Sequence, residues 1–334
     1  MDFSHLQKFS RRLSGYSIRN RIIEYPAYQD AMRRIERLHR RSSETGHPGG
    51  LLITGLSGSG KSTIKREYAG RFPADDDGVI TRTSVLIVET PPAPTVKNFA
   101  ESILIALSDP LSHKGSAEQK IQRIYDLIPK CGVELLIVDE FNHFVEHGRR
   151  NEVRRVSDLL KSLLNNAGIP MVLLGLPECE LVLKLNPQLA RRFSARYYLR
   201  PFGFDSDENI TEFRGVLDAI QSSLPIQSVC WSSLKTGMAR RFYYATFGLI
   251  DFICKIADGA VELAKELGRS EIDESVLAGA FVEEVWRDVP PQLNPFLASD
   301  PMLRPLVQPG EPFAEIGAAS IIDAGMSKKT AAVL

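Results

Sequence analysis

The sequence predicts an α/β chain, with one five-stranded parallel sheet carrying helices on both faces and a small all-α unit after it. Three observations predict it. Short aliphatic runs recur at residues 51–54, 83–89, 134–140, 170–175 and 195–199, with helix-like segments between them. A glycine-rich stretch, Gly55-Leu56-Ser57-Gly58-Ser59-Gly60-Lys61-Ser62, leaves the first run and enters a helix. Residues 205–289 then show helical spacing and no strand signal.

Taken in order, residues 1–48 form a basic, helical N-terminal segment. Tyr28, Met32, Ile35 and Leu38 fall at helical spacing, with Arg33, Arg34, Arg37, Arg40 and Arg41 on other faces. Such a face is either simply solvated or a surface for phosphates or a partner. Residues 42–50 carry Ser, Gly and Pro and read as a linker into the α/β core at residues 49–204.

The stretch Gly55 to Ser62 has the form G-x-x-x-x-G-K-S, a phosphate-binding loop. Its glycines let backbone N–H groups close around phosphate oxygens, and the helix that follows turns its positive end to the charge. Gly55, Ser57, Gly58, Ser59, Gly60, Lys61, Ser62 and Thr63 are the expected nucleotide-binding residues. Lys61 should reach the β- and γ-phosphates, and the Ser62 hydroxyl should ligate Mg²⁺. A Gly/Ser loop that merely contains a lysine is the plainer reading, and the strand before and helix after argue against it.

The second strand ends at Thr90-Pro91-Pro92-Ala93-Pro94, which cannot continue a sheet. Helices are expected at 97–107 and 117–128, the second stopped by Pro129. Glu134-Leu135-Leu136-Ile137-Val138-Asp139-Glu140 reads as a buried strand with two carboxylates at its C-terminal edge, where open α/β sheets bind ligands. Asp139 is placed to hold Mg²⁺ through water, and Glu140 to polarise an attacking water. Residues 149–165 form a basic amphipathic helix, 170–175 a further strand, and Arg191-Arg192-Phe193 leads into the last strand. Helices at 208–223, 247–267 and 273–286 make up the α unit of residues 205–289. Prolines recur from Pro290 to Pro312, and residues 290–334 are expected to be a poorly ordered Pro/Ala/Gly-rich tail, passive or docking.

Composition narrows the classes. At 334 residues the chain holds two or three units. Its 4 cysteines are scattered without a C-x-x-C pair, which argues against a disulfide framework or zinc ribbon and suits a reducing cytosol. His143 and His147 stand four apart without an evident third ligand. The N-terminus lacks an apolar signal core, and no run approaches membrane-spanning length. Formal net charge is zero, so nucleic-acid binding requires locally gathered positive charge.

The order of these segments resembles the AAA+ layout and, more closely, the TniB/TnsC family of ATPases that regulate Tn7-like and Tn5053-like transposition. The likeness is carried by Arg21-Ile22-Ile23-Glu24-Tyr25-Pro26, by Leu51-Leu52-Ile53-Thr54-Gly55, and by Pro91-Pro92-Ala93-Pro94-Thr95. It continues through Leu136-Ile137-Val138-Asp139-Glu140-Phe141-Asn142-His143, the stretch 168–178, the arginine segment 189–193 and Leu293-Asn294-Pro295-Phe296. It covers roughly residues 18–297. The resemblance implies ATP and Mg²⁺ as cofactors and adenine stacking near Ile22 and Tyr25, which could equally staple the next helix. It implies ATP-dependent assembly into a ring or filament on duplex DNA in the cytoplasm. A TniQ-type targeting protein and a DDE transposase then read that filament, and hydrolysis controls its disassembly.

Hydrolysis in such an assembly draws on an arginine from a neighbouring copy. Arg192 is the first candidate, with Arg191 and Arg196 behind it, each equally readable as a surface ion pair. Lys97, Arg149, Arg150 and Arg154 are candidate DNA contacts or parts of a solvated face. Two departures stand out. Leu176 sits near the place of a polar sensor after the fourth strand, and residues 246–251 lack a second-sensor arginine, which suggests slow or assembly-dependent hydrolysis. A P-loop small-molecule kinase and a non-hydrolysing nucleotide-dependent scaffold are the alternatives. The first lacks a substrate-binding insertion, and Glu140 argues against the second.

Overall fold

The architecture follows from aliphatic runs that must be buried on both faces. A computed structural model describes residues 16–316 apart from residues 77, 79 and 147–149. The chain divides into two compact units, Pro26–Arg200 and a second made of Met1–Tyr25 with Pro201–Leu334. The basic N-terminal segment is thus shared between them, with its helix in the α/β unit.

That helix, α1 (Pro26–Thr45), opens on a proline, whose fixed φ suits a first helical position and whose missing N–H costs nothing there. It buries Tyr28, Ala31, Met32, Ile35 and His39 and leaves its arginines outside. After it come β1 (Gly50–Thr54), α2 (Lys61–Gly70), β2 (Val85–Glu89), α3 (Val96–Ala106) and α4 (Ala117–Lys130). Next are β3 (Leu135–Asp139), α5 (His143–Glu146), α6 (Arg150–Asn166), β4 (Met171–Gly175), α7 (Cys179–Leu185), α8 (Pro187–Arg192) and β5 (Ala195–Tyr198). Pro129 lies within the last turn of α4 rather than ending it.

The five strands pair in parallel in the order β2-β3-β4-β1-β5. Every residue of β1, β3 and β4 is buried, as their unbroken aliphatic runs require, whereas edge strand β5 is largely exposed. Alternation splits the core. Leu52, Leu86, Val88, Leu136, Val138, Met171 and Leu173 join Phe99, Ile103, Ile124, Leu160 and Phe193 from helices α3, α4 and α6 and the end of α8. Leu51, Ile53, Ile137, Val172 and Leu174 are buried on the opposite face, where α1 lies against β1 and α2 against β2. Packing is close at the start of β1, since a Cβ on Gly50 would stand 2.3 Å from the Phe193 ring.

The second unit holds α9 (Asp207–Ser222), α10 (Met238–Thr246), α11 (Ile250–Glu266) and α12 (Glu274–Glu284). Its core gathers Phe213, Trp231, Phe242, Phe281 and Phe296. Asp273 caps α12 by accepting from the Val276 N–H, as the acidic stretch before that helix predicts. The helix expected at 247–267 begins only at Ile250, and α10 precedes it. Phe247 and Gly248 take positive φ between the two helices. A Cβ on Gly248 would meet the Phe202 carbonyl at 2.1 Å.

The proline-rich segment departs from the disorder expected of it. Through residue 316 it packs on this unit, burying Phe296, Leu306 and Phe313, while Arg241 donates to the Pro295 and Ala298 carbonyls at 2.7 and 2.8 Å. No helix among the described residues is long and apolar enough to cross a membrane.

Candidate functional site

Parallel pairing brings the ends of β1, β3 and β4 to one edge of the sheet, and the polar residues that follow them meet there. The loop after β1 is shaped by its glycines. Gly55 donates to the Gly175 carbonyl at 3.1 Å, and a Cβ on it would stand 2.6 Å from Ser59 Oγ and 2.8 Å from the Leu199 carbonyl. Gly58 and Gly60 take φ of 77° and 100°, conformations that side chains resist. Gly60 ends the loop as the N-cap of α2 and offers no side chain to the helix, so its first-turn N–H groups are left for a ligand. Ser57 and Ser62 are exposed, and Thr63 is half-buried in the first turn.

Lys61 is buried, and its ammonium donates to the carbonyls of Gly55 at 2.7 Å and Leu56 at 2.8 Å. Burial pulls its pKa below the usual lysine value, against the opposing charges of Glu140 and Asp139. Asp139 closes β3 and is 3% exposed. Its Oδ1 accepts the Glu140 N–H at 2.9 Å, and its Oδ2 lies 2.5 Å from Lys65 Nζ. Glu140 is exposed and stands at φ 52°. Few residues without a glycine's freedom adopt that conformation, and those that do gather at functional sites.

These residues fit a nucleoside triphosphate with magnesium. The loop folds so closely on itself that a Cβ at Gly55 would strike Ser59 Oγ. The helix end is uncapped by any side chain, and Lys61 is held by acceptors that phosphate oxygens would replace. A hydroxyl at Ser62 and a buried carboxylate at Asp139 supply hard oxygen ligands of the kind magnesium takes.

Three residues here escape the sequence reading. Lys65, one turn after Lys61, bridges Asp139 and Glu89, the latter at 3.1 Å. Burial works against its charge, but the hydrogen bonds and charges of Asp139 and Glu89 outweigh it and hold its pKa above the usual value. Glu89 pairs with Asp139 in the β2–β3 register. Asn142, which is buried, supplies a polar side chain at the end of β4, its Oδ1 3.4 Å from the Leu176 N–H. Its Nδ2 donates to Glu146 Oε1 at 3.0 Å, so the side chain braces the end of β4 against α5. The lysine spacing Lys61 to Lys65 was the one signal visible beforehand.

The remaining candidates belong to other elements. Ile22 and Tyr25 belong to the second unit, where Ile22 is 49% exposed and Tyr25 is buried edge-on to Phe202, with ring centroids 4.9 Å apart. Arg191 and Arg192 end α8, are exposed, and precede the N-terminal end of β5. The phosphate loop leaves the opposite, C-terminal edge, so the strand's length of about 13 Å separates them from it within one chain. Arg196 pairs with Glu180 at 3.4 Å. Lys97 is exposed at the start of α3, and Arg154 is exposed on α6. Glu152 of α6 accepts the Val96 N–H at 3.1 Å, which ties the two helix starts together. Arg150 opens α6, and Arg149 and His147 lie outside the described residues. No cluster of three or more His, Cys, Asp or Glu among the described residues is arranged to hold a metal by itself.

A family model described as bacterial TniB protein matches residues 15–201. No curated protein matches the sequence. Among solved structures, the chain is similar to the Aeropyrum pernix ORC1 protein in complex with DNA, at 14% identity and a TM-score of 0.57, over 78% of this chain and 66% of that one. It is similar to the Aeropyrum pernix ORC2 protein (ADPNP-ADP complexes), at 16% identity and 0.57, over 77% and 67%. Cdc6p from Pyrobaculum aerophilum matches at 14% identity and 0.54, over 81% and 69%. The chain thus spans about two thirds of the length of these proteins. The shared architecture is the AAA+ fold, and identities this low speak to fold alone.

Proposed function

The chain belongs to the TniB family, and on that premise we propose that it is an ATPase regulating DNA transposition. In this reading it binds duplex DNA without regard to sequence and assembles with further copies of itself. It links a TniQ-type target selector to a DDE transposase, and hydrolysis of ATP controls disassembly. The observation that carries the reading is the convergence of the Gly55–Ser62 loop with the Asp139-Glu140 strand end on one sheet edge.

Each residue then has a task. The amides of Gly58 and of Gly60 to Thr63 would hold the phosphates, and Lys61 would exchange its two carbonyl acceptors for phosphate oxygens. Ser62 and Asp139 would hold magnesium, which would supply charge neutralisation on the phosphates. Glu140 orients the attacking water and accepts its proton. Arg192 or Arg191 reaches the cleft of the next copy, a role consistent with their place at the far edge of their own sheet. Lys97 and Arg154, each exposed on its own helix, are the candidate contacts that assembly would repeat along DNA, multiplying weak contacts. The ORC1 protein, which shares the fold, is itself in complex with DNA.

Glu140→Gln tests the reading. Turnover should fall by about 100-fold or more, while ATP binding and ATP-dependent assembly on DNA persist. A variant that hydrolyses ATP as the native chain does would remove Glu140 from the chemistry.

A further inference from the structure

Two carboxylates stand abreast at the sheet edge, because Glu89 and Asp139 are partners in the β2–β3 register. They differ in surroundings. The Asp139 side chain is 4% exposed and that of Glu89 72%. A buried carboxylate without a counter-charge is strongly unfavourable, and a second carboxylate beside it makes matters worse. Lys65 meets that need. Its ammonium is 2.5 Å from Asp139 Oδ2 and 3.1 Å from Glu89 Oε1, and its side chain is only 12% exposed. Lys61, the other lysine of the same helix face, is engaged with the Gly55 and Leu56 carbonyls.

The geometry sets up a competition. Asp139 Oδ1 accepts the Glu140 N–H, which leaves Oδ2 as the oxygen free to meet a divalent ion or its water, and Oδ2 is the atom Lys65 holds. We propose that Lys65 is a built-in stand-in for the divalent cation, holding Asp139 while the cleft lacks nucleotide and yielding that carboxylate when magnesium enters with the triphosphate. Glu89 makes the exchange feasible. It is exposed and already bonded to Lys65, so the ammonium keeps one partner when it gives up the other. The exchange biases Asp139 toward magnesium delivered with a triphosphate and against magnesium alone. The inference rests on the nucleotide-binding reading above and adds a positioning residue to it.

The test is equilibrium binding of a fluorescent ATP analogue to the full chain across a magnesium titration, for the native protein and for Lys65→Met, Lys65→Gln and Lys65→Arg. An ammonium bound to Oδ2 must leave before magnesium can take that oxygen, so removing its charge favours the ion. Half-saturating magnesium should therefore fall about tenfold in Lys65→Met and Lys65→Gln. Lys65→Arg keeps the charge and should stay near the native value. Glutamine retains a donor for Asp139, so Lys65→Gln carries the test if methionine prevents folding. Equal or higher midpoints in the neutral variants overturn the proposal while leaving nucleotide binding intact. Failure of the native chain to bind the analogue in excess magnesium overturns the nucleotide reading itself.

Discussion

Glu140 holds a left-handed backbone at φ 52°, next to the buried Asp139 whose Oδ1 caps its N–H. The conformation costs a residue with a Cβ about 1–2 kcal/mol of strain. Replacing it with glycine should relieve that strain, partly offset by the entropy glycine loses on folding. Glu140→Gly is expected to raise stability by about 0.5–1 kcal/mol in denaturant unfolding while abolishing turnover. Glu140→Gln should lose turnover with little change in stability. If both variants were equally stable, strain at this position would be discounted. Gly55→Ala makes the opposite point. Its Cβ would crowd Ser59 Oγ and the Leu199 carbonyl, and the variant should lose about 1–3 kcal/mol together with nucleotide affinity. At this scale the sequence was partly legible. Lys61, Ser62 and Asp139 announce themselves by motif, because backbone geometry fixes their spacing. Lys65 and Asn142 do not, because their partners, Asp139 and the Leu176 N–H, lie on other elements and meet them only through the folded sheet.

The five strands were legible as elements because a strand buried on both faces must be aliphatic throughout, and β1, β3 and β4 are. Helix boundaries in the second unit were less so. The helix expected from Phe247 starts only at Ile250, because the chain turns at Gly248, where the Phe202 carbonyl occupies the space of a Cβ. The packed proline-rich segment was missed for a different reason. Prolines break up long helices and ladders, but not a chain with short 3-10 turns at Pro291–Leu293 and Asp300–Met302 pinned by aromatic anchors. Phe313 is one such anchor, stacked on Phe247 and edge-on to Phe252. Phe313→Ala should lower stability by about 3 kcal/mol, read as a drop in unfolding midpoint. Arg304 clamps the same segment, 2.5 Å from Glu311. Its hydrogen bonds hold the Glu311 carboxyl below the usual range, against burial and with help from the Gln308 N–H. A carboxyl lowered in this way adds stability that is present above its ordinary pKa of about 4.3 and is lost as pH falls through its lower folded value. Amide exchange at residues 304–313 should therefore quicken in that acid window, and Glu311→Gln should flatten the dependence.

On the scale of the whole molecule, the sheet places the phosphate loop at one edge and Arg191 and Arg192 before the other end of β5. One chain does not bring them together, so a role for either arginine requires a second copy. Specific ATPase activity should then climb with protein concentration and climb further with duplex DNA, and Arg192→Ala with Arg191→Ala should flatten both responses. Constant activity per chain across that range would remove the arginines from the mechanism. The proposed DNA contact makes a separate forecast, that Lys97→Ala weakens binding to all sequences alike and lessens its salt dependence. All of this depends on the cleft gripping a triphosphate. Calorimetric titration of magnesium–ATP into the intact chain and into Lys61→Ala tests that most directly. Saturable binding by the native chain, lost in the variant, is the predicted result, and no heat from the native chain, or equal binding by both, would contradict it.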